Sequence, residues 1–413
     1  MLDNVFFRAT GLSALLAAAA AHAGPVTTVP WNGYTGATSF GYDDTRPSQL
    51  STAIPALDKL GMKGTFFLTN GAGYKVSTSQ SQWIAAGKNG HELASHTLGH
   101  QNTSEGDDQI AKMVTLIQGL DPSFEAVTFA YPNCAVGGQN TVGQVAFLGR
   151  GCQGIGSTNK TYYNWSAGSE PTWMNILGYC IQPSNAGEVK TFLDGAKTNN
   201  SWAPIFTHDV STSPDQYSAT TSDHQAILQR AADNKLWVGT WAEVGAYYRA
   251  HFTMDKLTAN SGAGPWNLKW TSPHSKMPKS VKLKVKLDAA TFGSDITVSQ
   301  SGTVIPKNTD GSYTIDFMKL AMDVKKGTSG VANRAINLEG VKFRREANGL
   351  AISGAPQARI SVWTLSGTQV GLTEMDAYGT GWLALGNAAS GSLVVRVAAP
   401  DGASSALVLP PMR

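Results

Sequence analysis

The chain opens on an apolar run and then, to about residue 252, alternates short β-prone runs with helically spaced ones. Arg8 precedes an apolar stretch, Gly11 to Leu16 and four alanines, which ends in Ala21-His22-Ala23. A basic start, an apolar middle and small residues at 21 and 23 predict a signal peptide over 1–23, the mature chain beginning near Gly24. Beyond it, Ala37 to Tyr42, Gly64 to Thr69, Val127 to Tyr131, Pro204 to Thr207 and Leu236 to Thr240 read as strands. Ile54, Leu57 and Leu60 give Ala53 to Leu60 helical spacing; Ser81 to Lys88, Asp107 to Leu120 and Glu243 to Tyr248 also read as helices. Strands alternating with helices predict a parallel α/β domain over 24–252, open or closed into a barrel.

After Asp255 the texture changes. Val281 to Leu287 alternates apolar residues with lysine, the period of a half-exposed strand. Lysines there solvate and protect an outer face, or, on a sharper reading, meet a polyanion. Thr297, Asp310-Gly311 and Tyr313 to Phe317 extend a β-rich domain over 255–345. Arg359 to Leu365, Gly391 to Val397 and Leu407 to Leu409 predict a third unit, 349–413. It resembles the small β-sandwich modules that serve sorting or surface attachment at the C-termini of some exported bacterial proteins.

Composition narrows the class. Of 413 residues 42% are hydrophobic, enough for real cores; few charges (15%) and 44 glycines suit a β-rich, loop-heavy exported protein. The net charge of +3 and the lack of a basic stripe interleaved with aromatics set nucleic acid aside as a partner. After the leader no apolar run reaches about 18 residues, so no membrane span is expected. Export allows one disulfide among Cys134, Cys152 and Cys180; Cys134–Cys152 is preferred, both lying in loop-like, glycine-rich sequence.

Four segments carry candidate chemistry. Asp43-Asp44 follows a strand, where adjacent carboxylates point different ways: one can ligate a cation while the other faces a water. In His91-Glu92-Leu93-Ala94-Ser95-His96-Thr97-Leu98-Gly99-His100, His96 and His100 are four apart, so a helical turn would aim both at one ion. Two imidazoles and one carboxylate leave positions open for water and substrate, as in a catalytic metal site. Phe129-Ala130-Tyr131-Pro132-Asn133 ends a strand at proline and exposes backbone N–H groups that can stabilise an oxyanion. In Ile205-Phe206-Thr207-His208-Asp209 a histidine sits at a strand's end, where α/β sheets place sites and an imidazole can protonate a leaving group.

In order and spacing these segments resemble the polysaccharide deacetylases of carbohydrate esterase family 4, the NodB homology domain. Ala56 to Phe67, Gly90 to Thr97 and Leu236 to Thr240 with Glu243-Val244 match its context, so the resemblance covers about 35–252. It implies a distorted (β/α) barrel with fewer than eight repeats, followed here by all-β modules. It also implies that Asp43 is the base activating a metal-bound water, and that Asp44, His96 and His100 hold the metal, usually Zn²⁺, sometimes Co²⁺ or another divalent ion. His208 would be the acid, and the Asn133 N–H an oxyanion donor. Three positions depart from the pattern: Thr45 replaces a glycine, Ala130 the arginine that orients the base, and Asn133 an aromatic. No counterpart of the family's Asp-x-x-Asp-Trp segment is evident.

The expected activity is therefore secreted, metal-dependent deacetylation of a polysaccharide, outside the cell, on its surface or in the periplasm. N-acetyl groups of chitin-like polymers or peptidoglycan are favoured; acetylxylan esterase activity on the same site is one alternative. A carbohydrate-binding or surface-attached protein with an impaired site is another. His91 reads as structural or supporting, and His224 as a solvent-facing helix residue. Trp165, Trp173 and Trp202 read either as sugar-stacking platforms or as core.

Overall fold

The computed structural model describes residues 24–71, 73–153, 160–259, 262, 264–327, 340–346, 348–365, 368–385, 391–398 and 404–411. The expected leader over 1–23 lies outside them. Seven parallel strands form a closed ring: β1 (Ala37–Asp43), β2 (Thr65–Leu68), β3 (Glu92–Ser95), β4 (Thr128–Ala130), β5 (Leu148–Cys152), β6 (Ile176–Cys180) and β7 (Ser201–Thr207). Each pairs with the next, and β7 closes on β1 with Ala37 opposite Trp202 and Tyr42 opposite Thr207. The fold is thus a (β/α) barrel with fewer than eight repeats. Strands β1, β2 and β7 are buried throughout, which is why they read as apolar runs and not as alternation.

The helices α1 (Ile54–Lys59), α2 (Gln80–Lys88), α3 (Asp108–Leu120), α4 (Ala186–Thr198), α5 (Thr221–Asp233) and α6 (Trp241–Met254) surround the ring. Asp107 caps α3 by accepting the Gln109 N–H at 2.9 Å, and Ile110, Met113, Val114 and Ile117 make its buried stripe. Helix α6 starts on a reciprocal cap between Thr240 and Glu243, then runs six residues past the expected end at Tyr248. It is buried almost all round, so it carries no amphipathic signal by which to read its length.

The chain forms two compact units, Met1–Lys326 and Gly327–Arg413. The β-rich region after 255 is not separate from the barrel. Val26–Thr28 pairs with Lys282–Leu287, which pairs with Tyr313–Asp316, and a four-stranded sheet lies alongside. Trp266, Leu283, Val285 and Ile315 share one core with Tyr247, Tyr248 and Phe252 of α6. The alternation predicted over Val281 to Leu287 is present as the strand Lys282–Leu287, with Leu283 and Val285 fully buried. Lys282 pairs with Asp316 at 3.0 Å and Lys284 donates to the Asn32 carbonyl at 3.2 Å, so this face is partly neutralised from within.

The second unit has its own core of Leu350, Ile352, Ile360, Val362, Leu393 and Val395 between a three-stranded and a four-stranded antiparallel sheet. It includes Lys342–Glu346, which the sequence assigned to the preceding region. Among the described residues no helix is long and apolar enough to cross a membrane.

Candidate active site

All four segments end at the C-terminal rim of the barrel, where the strands of parallel α/β folds deliver functional side chains. Asp43 is the last residue of β1, His96 follows β3, Asn133 follows β4 and His208 follows β7. With Asp44 and His100 they line one cavity of about 320 Å³, joined by Arg46, Tyr131, Cys134, Cys152, Gln153, Cys180, Phe206 and Tyr217.

Asp44 Oδ1 lies 3.2 Å from His100 Nε2 and 3.6 Å from His96 Nε2. The ligand atoms of Asp44, His96 and His100 all fall within 4.8 Å of one another, a group that can hold a metal ion. Two further observations fit a cation. Among the described residues the buried Asp44 Oδ1 has no hydrogen-bond partner, and His96 Nδ1 donates to the Ala130 carbonyl at 2.8 Å, leaving Nε2 as an acceptor. Burial pushes the His96 pKa below the ordinary histidine value, against the pull of Asp43 and Asp44, which keeps the ring neutral and able to ligate. Burial would raise the Asp44 carboxyl, but His96, His208, His100 and Arg46 outweigh it and hold its pKa below the ordinary carboxylate value.

The route by which the two histidines converge differs from expectation. Residues 96–100 are not helical: His96 leaves the strand end, and the chain then turns through left-handed Thr97 (φ 63°) and His100 (φ 56°). A four-residue spacing on a loop does here what it would do on a helix.

Asp43 Oδ2 lies 3.9 Å from His96 Nε2 and 4.0 Å from His208 Nε2, and among the described residues Asp43 Oδ1 has no hydrogen-bond partner. His208 Nδ1 donates to the Tyr217 carbonyl at 2.9 Å, so Nε2 is the nitrogen turned to the cavity. Gln49, fully buried, donates through Nε2 to the main-chain carbonyls of both Asp43 and His208, the latter at 2.9 Å, and so ties the ends of β1 and β7. Asn133 (φ 54°) and Cys134 (φ 57°) form a tight left-handed turn after β4, and Cys134 is disulfide-bonded to Cys152 at the end of β5.

A family model described as polysaccharide deacetylase matches residues 36–146. That match spans the first four strands of the barrel and includes Asp43, Asp44, His96, His100 and Asn133, while His208 lies outside it. No curated protein sequence matches the chain. Among solved structures it is similar to the Xyl-CE4 domain of a multidomain xylanase from the hindgut metagenome of Trinervitermes trinervoides, at 21% identity over 51% of this chain and 89% of that one, TM-score 0.34. It is similar also to the peptidoglycan deacetylase PdaC from Bacillus subtilis (15%, 51% and 90%, TM-score 0.32) and to a family 4 carbohydrate esterase from Streptomyces lividans (17%, 50% and 93%, TM-score 0.31).

The barrel meets each departure locally. Thr45 keeps the left-handed turn (φ 59°) that a glycine would adopt freely, and its hydroxyl donates to the Thr69 carbonyl and accepts the Thr69 N–H, both at 2.8 Å. A backbone carbonyl, that of Tyr217, stands beside His208 Nδ1 where an acidic partner was sought. An arginine does reach Asp43, but from β5: Arg150 Nη2 sits 2.5 Å from Asp43 Oδ2. The sequence reading missed it, along with Arg46, Gln49 and Tyr217. The one available signal was a lone charge in Leu148-Gly149-Arg150-Gly151, which nothing in the linear pattern ties to Asp43.

Of the other residues singled out, only His224 departs from expectation. His224 faces inward, fully buried, its Nε2 2.7 Å from the Tyr42 hydroxyl. Trp165, Trp173 and Trp202 are core, at most 7% exposed, and offer no stacking face. His91 accepts the Gly64 N–H at 3.1 Å and contacts Asp58, at the start of β3 and away from the rim.

Proposed function

We propose that this protein is a secreted, divalent-metal-dependent deacetylase of N-acetylated polysaccharide. The observation that carries the reading is the convergence of Asp44, His96 and His100 within 4.8 Å, with Asp43 and His208 on the same cavity. Asp44, His96 and His100 would hold a divalent ion, Zn²⁺ by the chemistry of one carboxylate and two imidazoles, which would supply Lewis acidity there.

This chain's residues do the rest. Asp43 takes a proton from the attacking water as a C–O bond forms at the acetyl carbon. The Asn133 N–H donates a hydrogen bond to the developing oxyanion. His208 Nε2 delivers a proton to the nitrogen as the C–N bond breaks, giving acetate and a free amine. The disulfide supports an oxidising compartment, hence export. The unit Gly327–Arg413 supplies none of these groups, and surface attachment is the role we assign it.

The test is acetate release from chitin oligomers, peptidoglycan and acetylxylan with added Zn²⁺ or Co²⁺, in wild type, Asp43→Ala and His208→Ala. Release from the N-acetylated substrates that both substitutions abolish is the expected result. Release unchanged by either substitution ends the assignment of base and acid.

A further inference from the structure

Arg150 is fully buried in the barrel between the rings of Phe67 (5.2 Å) and Phe206 (4.0 Å). Burying a guanidinium costs several kcal/mol unless it is paired. Among the described residues its ion pair is with Asp43 alone. The barrel makes room for it: a Cβ at Gly178 would lie 3.3 Å from Arg150 Cδ and 3.0 Å from Phe206. Arg150 grips Oδ2, and among the described residues Oδ1 of Asp43 has no hydrogen-bond partner. The position where the resemblance expects this arginine, Ala130, is the register partner of Arg150 across β4 and β5. Register partners on adjacent parallel strands project to the same face, so a guanidinium from either position can approach one carboxylate.

Two residues along, β5 ends at Cys152, whose Sγ lies 3.4 Å from Arg150 Nη1 and is bonded to Cys134. Cys134 and Asn133 are consecutive left-handed residues without glycine, a disfavoured backbone state that persists only when its surroundings hold it. The disulfide is the covalent part of that hold; the Asn133 Nδ2 bond to Asn102 Oδ1 at 2.9 Å is the other. The third cysteine does not disturb it, because burial pushes the Cys180 thiol up to about 12 and leaves almost no thiolate to exchange at neutral pH.

We propose that β5 is the positioning strand of this site: Arg150 orients the base Asp43, and Cys152, through its disulfide, fixes the turn that presents the Asn133 N–H. The inference rests on the deacetylase reading above. It makes the loss of arginine at 130 a relocation and not an impairment, and it makes turnover dependent on a bond that a reductant can break. Reduction by a phosphine cleaves the S–S bond to two thiols while the phosphine takes up oxygen from water to become its oxide. The metal ligands, on other strands, are untouched.

The experiment follows kcat and KM for acetate release from a soluble chitin oligomer, together with Co²⁺ binding by its visible absorption. The proteins are wild type, Arg150→Ala, Arg150→Lys, Ala130→Arg/Arg150→Ala and Cys134→Ser/Cys152→Ser, with wild type also assayed after reduction. Misplacing a reacting group by about 1 Å costs on the order of 10²-fold. Arg150→Ala and disulfide loss are each expected to lower kcat by about 10- to 10²-fold, leaving KM and Co²⁺ affinity within about two-fold. The Ala130→Arg/Arg150→Ala protein is expected to regain most of the lost kcat, which a role in folding alone does not explain. An Arg150→Ala or reduced protein with wild-type kcat overturns the proposal, as does loss of Co²⁺ binding in step with activity or failure of the 130/150 exchange to recover turnover. No acetate release by oxidised wild type is a separate result, and it removes the deacetylase reading together with this one.

Discussion

At Asp44 and Thr45 the chain takes two left-handed residues in succession (φ 76° and 59°), which turns two adjacent carboxylates to different tasks. Asp43 stays in the strand and meets Arg150, while Asp44 swings to His96 and His100. His96 is fixed by its bond to the Ala130 carbonyl and His208 by its bond to Tyr217, so both rings present Nε2 before any substrate arrives. A positioned base or acid contributes about 10²–10⁴-fold, and that is the fall in kcat expected for Asp43→Ala and for His208→Ala in the acetate assay. Asp43, Asp44, His96, His100, Asn133 and His208, which line one cavity, could be picked out as candidates because residue type and spacing are visible in the sequence. Arg150, Gln49 and Tyr217 could not, because each acts across strands whose register exists only in the folded barrel.

Elements were legible where local chemistry marks them. Helix α3 announces itself by its cap and apolar stripe, and β1 and β7 by β-prone runs. Strands β5 and β6 escaped notice: each is five residues long, and glycines break any apolar pattern. Glu92, at the start of β3, shows a different coupling between elements. Its carboxylate accepts from Thr65 Oγ1 of β2 at 2.8 Å, from Thr128 Oγ1 of β4, and from the Ala242 N–H at the start of α6 at 2.9 Å. Burial nevertheless dominates and lifts its pKa to about 7 from 4.5. The folded state therefore keeps a proton that the unfolded chain releases, so the contribution of Glu92 is fully present below 4.5 and is lost as pH rises through 7. The shift corresponds to about 3 kcal/mol. Glu92→Gln is expected to stabilise the protein at pH 8 relative to wild type and to flatten the fall in thermal midpoint between pH 5 and pH 8. Parallel pH curves for the two proteins contradict this.

At the scale of the whole molecule, chemistry is confined to one unit. Every group named in the site lies between Asp43 and Tyr217, inside Met1–Lys326, whereas Gly327–Arg413 has a separate core. A chain ending at Lys326 is accordingly expected to keep its kcat/KM on a soluble oligomer within about two-fold, since compact units with their own cores fold independently. A loss of about ten-fold or more assigns the second unit a part in turnover. A parallel α/β domain was readable from strand and helix alternation and its closure into a barrel from the family resemblance, whereas the core shared across residue 255 was not. Period-2 patterning marks a change of element type and is blind to a core shared between sheet and helix.

The central claim concerns Asp44, His96 and His100 as ligands of one catalytic cation. Its most direct measurement is a titration of Zn²⁺ into chelator-treated protein, following bound metal and acetate release together in wild type and in His96→Ala. Activity is predicted to return in proportion to a single bound ion per chain in wild type, with neither binding nor activity in His96→Ala. Acetate release that survives chelation, or tight stoichiometric binding that survives His96→Ala, contradicts the account.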